Sequence, residues 1–267
     1  MNVNQIFRDL AASILFATFL FSCNTEKPKT VRTENPETLQ PIIIYSAASL
    51  TDVLSELIDS FEAQHPVEIK TNMASSGTLA RQIEQGGEPD VYISANKGWA
   101  NYVDSLRGFF SGTKTVLAKN ELVLIAPKNS PLQEADIDST FNLVSALGKS
   151  RLSIGDPAHV PAGKYAGQSL QHYGWYDVLK GKALPAKDVR SALMVVEMEE
   201  APLGIVFHTD AKKSNRIKIL HTFPDTSHET IEYVGGVCKD NVFAKIFFEY
   251  LNADASEAIW TKHGFKK

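Results

Sequence analysis

From Ile42 to Lys262 the chain alternates short apolar runs, turns, and stretches whose apolar residues fall at helical spacing. Ile42 to Tyr45 is continuously apolar, as expected of a strand covered on both faces. Asp52 to Gln64 then carries Val53, Leu54, Leu57, Ile58 and Phe61 on one helical face, and Pro66 stops that helix. The pattern predicts a strand over 67–72, a helix over 79–85 ended by Gly86 and Gly87, a strand over 90–94 and a helix over 97–106. A second block opens with a strand over 121–126 closed by Pro127. Helices follow over 141–147, 164–173 and 188–199, and strands over 151–154, 203–207, 217–220 and 232–237. Helices over 242–251 and 256–262 close the chain.

Strands alternating with helices imply an α/β fold built on mainly parallel sheets with covered faces. The first alternating block ends near Lys119, and the last two helices have no strands of their own. The economical arrangement is therefore two lobes, the first made of residues 41–119 and 232–267 and the second of residues 120–231. Ligands of open α/β sheets bind beyond the carboxyl ends of the strands, which here places a ligand between the lobes.

Composition fits this picture. Of 267 residues, 43% are hydrophobic and 22% charged, with a net charge of -4, which supplies a core and argues against a nucleic-acid surface or a polybasic membrane patch. Residues 1–23 differ from the rest. Their apolar run from Leu10 to Phe21 is short for a bilayer span and reads as a secretory signal. Leu20-Phe21-Ser22-Cys23 resembles the bacterial lipoprotein processing box, so Cys23 is the expected lipidation site. Residues 24–40 are polar and proline-containing, the composition of a disordered tether. The other cysteine, Cys238, lies at the end of a strand-like run and reads as a buried structural thiol.

Candidate chemistry concentrates in three turns that lead into helices: Ser46 to Asp52, Ala74 to Ala80 and Gly155 to Gly163. The first turn of a helix presents N–H groups without intrahelical partners and a partial positive charge, so such turns can hold an oxyanion without a formal cation. Serines there are also common caps. Asp52 suits an early helical turn and Asp90 a strand start, rather than an anion contact. Arg81, Lys164 and Arg190 lie beside the turns on helices, where solvation or lobe-to-lobe pairing is the commoner fate. His159 and His208 lack metal-ligand spacing, and Ser49 and Ser76 lack a Gly-x-Ser-x-Gly elbow, so neither a cation site nor a hydrolase is expected.

The segments Ser46 to Leu50, Ala74 to Ile83, Pro89 to Ala95, Gly155 to Gly163, Asp188 to Arg190, Ala201 to Val206 and His263 to Phe265, in this order and spacing, resemble the molybdate-binding proteins of ABC transporters. The resemblance runs from about Ile42 to Phe265 and implies the two-lobed periplasmic-binding fold of type II. It implies a receptor, not an enzyme, that captures molybdate or tungstate and delivers it to a membrane permease. It also implies that Ser49 and Ser76 supply hydroxyl and N–H donors from the first lobe, and Ala162 and Val189 backbone N–H donors from the second. No cofactor is expected, and molybdenum would be bound only as the oxyanion. The expected partners are that anion and the permease, with no nucleic acid, for a monomeric protein secreted across the inner membrane and lipid-anchored in the cell envelope. The alternative ligand is another tetrahedral oxyanion such as sulfate.

One position departs from the family: Phe207 stands where its members carry a tyrosine whose phenol reaches the anion. A missing hydrogen bond to a charged group costs about 1.5 to 3 kcal/mol unless a water, His208 or Tyr233 replaces it. Phe207→Tyr is therefore expected to tighten molybdate binding. Titration calorimetry showing unchanged or weaker affinity would rule out a direct contact at this position.

Overall fold

The computed structural model describes residues 40–133, 141–179 and 181–267. The expected signal segment, Cys23 and the tether through residue 39 lie outside the described residues. The strands are β1 Ile42–Ala47, β2 Ile69–Ala74, β3 Val91–Ser94, β4 Thr115–Lys119, β5 Leu122–Pro127, β6 Leu152–Gly155, β7 Ala183–Ala186, β8 Leu203–Phe207, β9 Ile217–Thr222 and β10 Glu232–Val237. The helices are α1 Thr51–Glu62, α2 Ser76–Glu84, α3 Lys97–Arg107, α4 Leu143–Leu147, α5 Pro161–His172, α6 Tyr176–Leu179, α7 Val189–Glu197, α8 His208–Lys212, α9 Val242–Asn252 and α10 Asp254–Lys262.

The strands form two five-stranded sheets, ordered β2-β1-β3-β10-β4 and β7-β6-β8-β5-β9. Each has the same plan. Three parallel strands are followed by a strand that runs antiparallel to both its neighbours, β10 in the first sheet and β5 in the second. The chain passes from the first sheet to the second through Asn120 and Glu121, and returns along residues 223–231.

Two strands have no counterpart in the hydrophobic pattern, β4 and β7, and both are sheet edges. Edge strands keep one side toward solvent and need no apolar run. β7 even carries Pro185, which an edge tolerates because one row of N–H groups is unpaired. β5, by contrast, is buried along its whole length. On α1 the apolar face Val53, Leu54, Leu57, Ile58 and Phe61 is buried as its spacing requires. Cys238 follows β10 and is half-buried, and burial pushes its thiol up to about 12.

Several helix starts are held by side chains. Ser75, Asn96, Asp188 and Asn241 each accept a backbone N–H from the first turn of α2, α3, α7 and α9. α5 instead begins with Pro161, whose fixed φ suits a first helical position. Its third residue, Gly163, packs against β6 so closely that a Cβ there would lie 2.0 Å from the carbonyl oxygen of Gly155. Because the obstacle is backbone, Gly163→Ala is expected to displace α5 from β6 and destabilise the fold by about 1 to 3 kcal/mol. Thermal unfolding should register a loss of several degrees, and an unchanged midpoint would contradict this packing.

Candidate functional site

Six chain segments meet at a small cavity, with about 200 Å3 of atom-free space including its mouth. Ser49, Ser76, Ala162, Val189 and Phe207 all line it, and all five are buried. Ser49 lies in the short 3-10 turn between β1 and α1. Ser76, Ala162 and Val189 occupy first-turn positions of α2, α5 and α7, and Phe207 ends β8.

Accounting for the first-turn donors shows what faces the cavity. In α2 the Thr78 N–H goes to Ser75 Oγ at 3.2 Å and the Leu79 N–H to the Ser75 carbonyl at 3.1 Å. The Gly77 N–H crosses to the His159 carbonyl at 3.1 Å. Among the described residues this leaves the Ser76 N–H without an acceptor. In α7 the Ser191 N–H is taken by Asp188 Oδ1 at 2.7 Å and the Ala192 N–H by the Asp188 carbonyl. The N–H of Val189 precedes them and has no intrahelical acceptor, and the same holds for Ala162 after the N–H-less Pro161.

The serine hydroxyls are similarly constrained. Ser76 Oγ accepts the Ala95 N–H at 3.0 Å. Ser49 Oγ lies 2.8 Å from the phenol of Tyr233, which Asn120 Nδ2 also reaches at 3.0 Å. Phe207 contributes only its ring, 6.3 Å from the ring of Tyr165 and 6.2 Å from that of Tyr233. Tyr233 is bonded to Ser49 and is not among the residues that line the cavity. His208 is tied by its N–H to the Glu121 carbonyl.

None of the three cations beside the turns lines the cavity. Arg81 lies over the Trp99 ring at 5.7 Å, and Lys164 pairs with Glu229 at 3.1 Å. Arg190 pairs with Asp52 at the start of α1 and with Asp210 on α8, joining the two halves of the molecule. Burial raises the Asp52 carboxyl, and the guanidinium more than offsets this, leaving it below its ordinary value. Asp210 is fully buried, and burial pushes its carboxyl up to about 6 against the pull of Arg190. Asp90 accepts from the Ile43 N–H and Asn241 Nδ2, away from the cavity.

Two features were not visible in the pattern. Asp188 lines the cavity, but its carboxylate is engaged as the α7 cap. Asn96 donates to the Tyr165 phenol at 2.9 Å, a further polar tie between the halves beside those of Gly77 with His159 and Arg190 with Asp52. Asn96 and Tyr165 are 69 positions apart, and nothing in the local pattern marks either as the other's partner.

A family model described as bacterial extracellular solute-binding protein matches residues 42–266. The molybdate-binding protein ModA of Escherichia coli (strain K12) is 42% identical over 226 residues, spanning 84% of this chain and 88% of that protein. Its counterpart in Haemophilus influenzae is 40% identical over 227 residues, spanning 84% and 89%. The solved Azotobacter vinelandii periplasmic molybdate-binding protein superposes with a TM-score of 0.73 at 22% identity, over 85% of this chain and 99% of that one, which is a likeness of fold.

The raised Asp210 carboxyl has a signed consequence. Between its ordinary value of 3.8 and about 6 the folded chain binds a proton that the unfolded chain has released, so this group's contribution to stability falls as pH rises through that window. Asp210→Asn should remove that decline. Denaturant midpoints measured from pH 4 to 7 should be flatter for the variant, and parallel profiles would refute the assignment.

Proposed function

The chain belongs to the bacterial extracellular solute-binding proteins, among the relatives of molybdate-binding ModA, and from that premise we propose that it captures molybdate between its lobes for delivery to an ABC-transporter permease. The observation that carries the ligand chemistry is the donor set. Ser49, Ser76, Ala162 and Val189, with their hydroxyl and N–H groups, line a buried cavity that no cation among the described residues lines.

Molybdate at neutral pH is a dianion without a proton, so every oxygen is an acceptor and donors alone satisfy it. Two serine hydroxyls and the first-turn N–H groups of Ser76, Ala162 and Val189 would surround it, with Phe207 closing one side. Tungstate has the same charge and shape and is accepted on the same grounds. Ser49 and Ser76 would come from the lobe of residues 41–119 and 232–267, Ala162 and Val189 from that of residues 120–231, so binding requires both lobes at once. Nothing in this chemistry transforms the ligand. The protein would act as a monomer, exported by the segment before residue 24 and held at the membrane through lipidated Cys23.

Gly77 is central to closure. A Cβ there would lie 2.5 Å from the His159 carbonyl oxygen and 2.7 Å from the Trp99 ring. Competitive calorimetry with molybdate, tungstate, sulfate and phosphate tests the reading, with the two metal oxyanions expected to bind tightest. Gly77→Ala, which holds the halves apart, should weaken molybdate by at least about tenfold, since it separates donors that must act together. Preference for sulfate or phosphate in the wild-type protein would refute the ligand assignment. Unaltered binding by Gly77→Ala would refute closure around it.

A further inference from the structure

Resting on the anion-receptor reading, we propose that Asn120 and Tyr233 are positioning residues that orient the Ser49 hydroxyl as a donor to the bound anion. The order of protons follows from the bonds. Asn120 Oδ1 lies 2.9 Å from the Glu121 N–H, which can only donate, so that end of the amide is the oxygen. The opposite end is the NH2 group, and its two hydrogens go to Thr209 Oγ1 at 2.8 Å and to the Tyr233 oxygen at 3.0 Å. Tyr233 is fully buried and has one proton. With its oxygen accepting from Asn120, that proton is directed to its other partner, Ser49 Oγ, at 2.8 Å. Ser49 thus accepts from behind, and its own hydrogen is left for the cavity that it lines.

Ser76 reaches the same polarity by a shorter route, because its oxygen accepts a backbone N–H from Ala95 that cannot reverse. The two cavity serines are therefore both turned outward as donors, one by the main chain and one through a phenol and an amide. The arrangement favours an anion whose oxygens all accept. It disfavours one that carries a proton, such as hydrogen phosphate, which needs an acceptor in the site. Without the Tyr233 hydroxyl, Ser49 is free to turn and accept.

The test is a double-mutant cycle read by calorimetry with sodium molybdate and with inorganic phosphate. Tyr233→Phe is expected to weaken molybdate by about tenfold and to narrow the molybdate-to-phosphate preference, a loss on the scale of one hydrogen bond to a charged group. Ser49→Ala should weaken molybdate itself, and adding Tyr233→Phe to it should change affinity by less than about twofold. Asn120→Ala, run through the same cycle, supplies the answer if Tyr233→Phe does not fold. Equal losses in both backgrounds, or an unchanged preference for molybdate, would overturn the proposal while leaving the receptor reading intact. Wild-type protein that binds no molybdate would overturn both.

Discussion

Buried donors without acceptors are the constraint on which the rest of this structure turns. The cavity collects N–H groups from the starts of α2, α5 and α7, together with two serine hydroxyls whose oxygens already accept from elsewhere. Removing such groups from water without a partner costs on the order of 1 to 3 kcal/mol each. An anion bound there would supply the acceptors they lack, completing the arrangement rather than merely occupying it. The same reasoning explains why no cation among the described residues lines the cavity. Several partial charges from peptide dipoles converge there, and a formal charge would add desolvation without adding geometry.

The cations beside the turns find partners elsewhere. Arg190 follows Val189 directly on α7, so the residue that offers its N–H to the cavity is chain neighbour to the one that grips Asp52 on the opposite half. A shift of α7 moves both together. Asp210 holds the other side of the guanidinium from a fully buried position, which limits the conformations Arg190 can take. Gly77 to His159 and Asn96 to Tyr165 are further contacts between the same two halves.

Much of this was legible from residue pattern because the site is built on element starts. Turns such as Ser46 to Asp52 and Ala74 to Ala80 announce themselves by small hydroxyl residues between a strand and a helix, and the structure brings Ser49, Ser76, Ala162, Val189 and Phe207 to one cavity. Core strands such as β5 were equally plain from their unbroken apolar runs. β4 and β7 were not, since an edge strand lacks the apolar signature that burial imposes. Nor was the reversal of β10 and β5 within their sheets, because strand direction depends on which segments pair across long stretches of chain and leaves no trace in periodicity. Tyr233 shows the same gap at the site: its bond to Ser49 joins residues 184 apart in sequence.

The position of β10 has a consequence for how the molecule is made. β10 lies between β3 and β4, at the interior of the first sheet, yet it is formed by residues 232–237, after every strand of the second sheet. Until that segment is available, β3 and β4 have no partner between them and the first sheet remains split. The second sheet has no such dependence, since β5 to β9 form one uninterrupted stretch. A chain emerging from its N-terminus can therefore complete the later half first, while β4 stays apart from the β2-β1-β3 group until its keystone strand arrives.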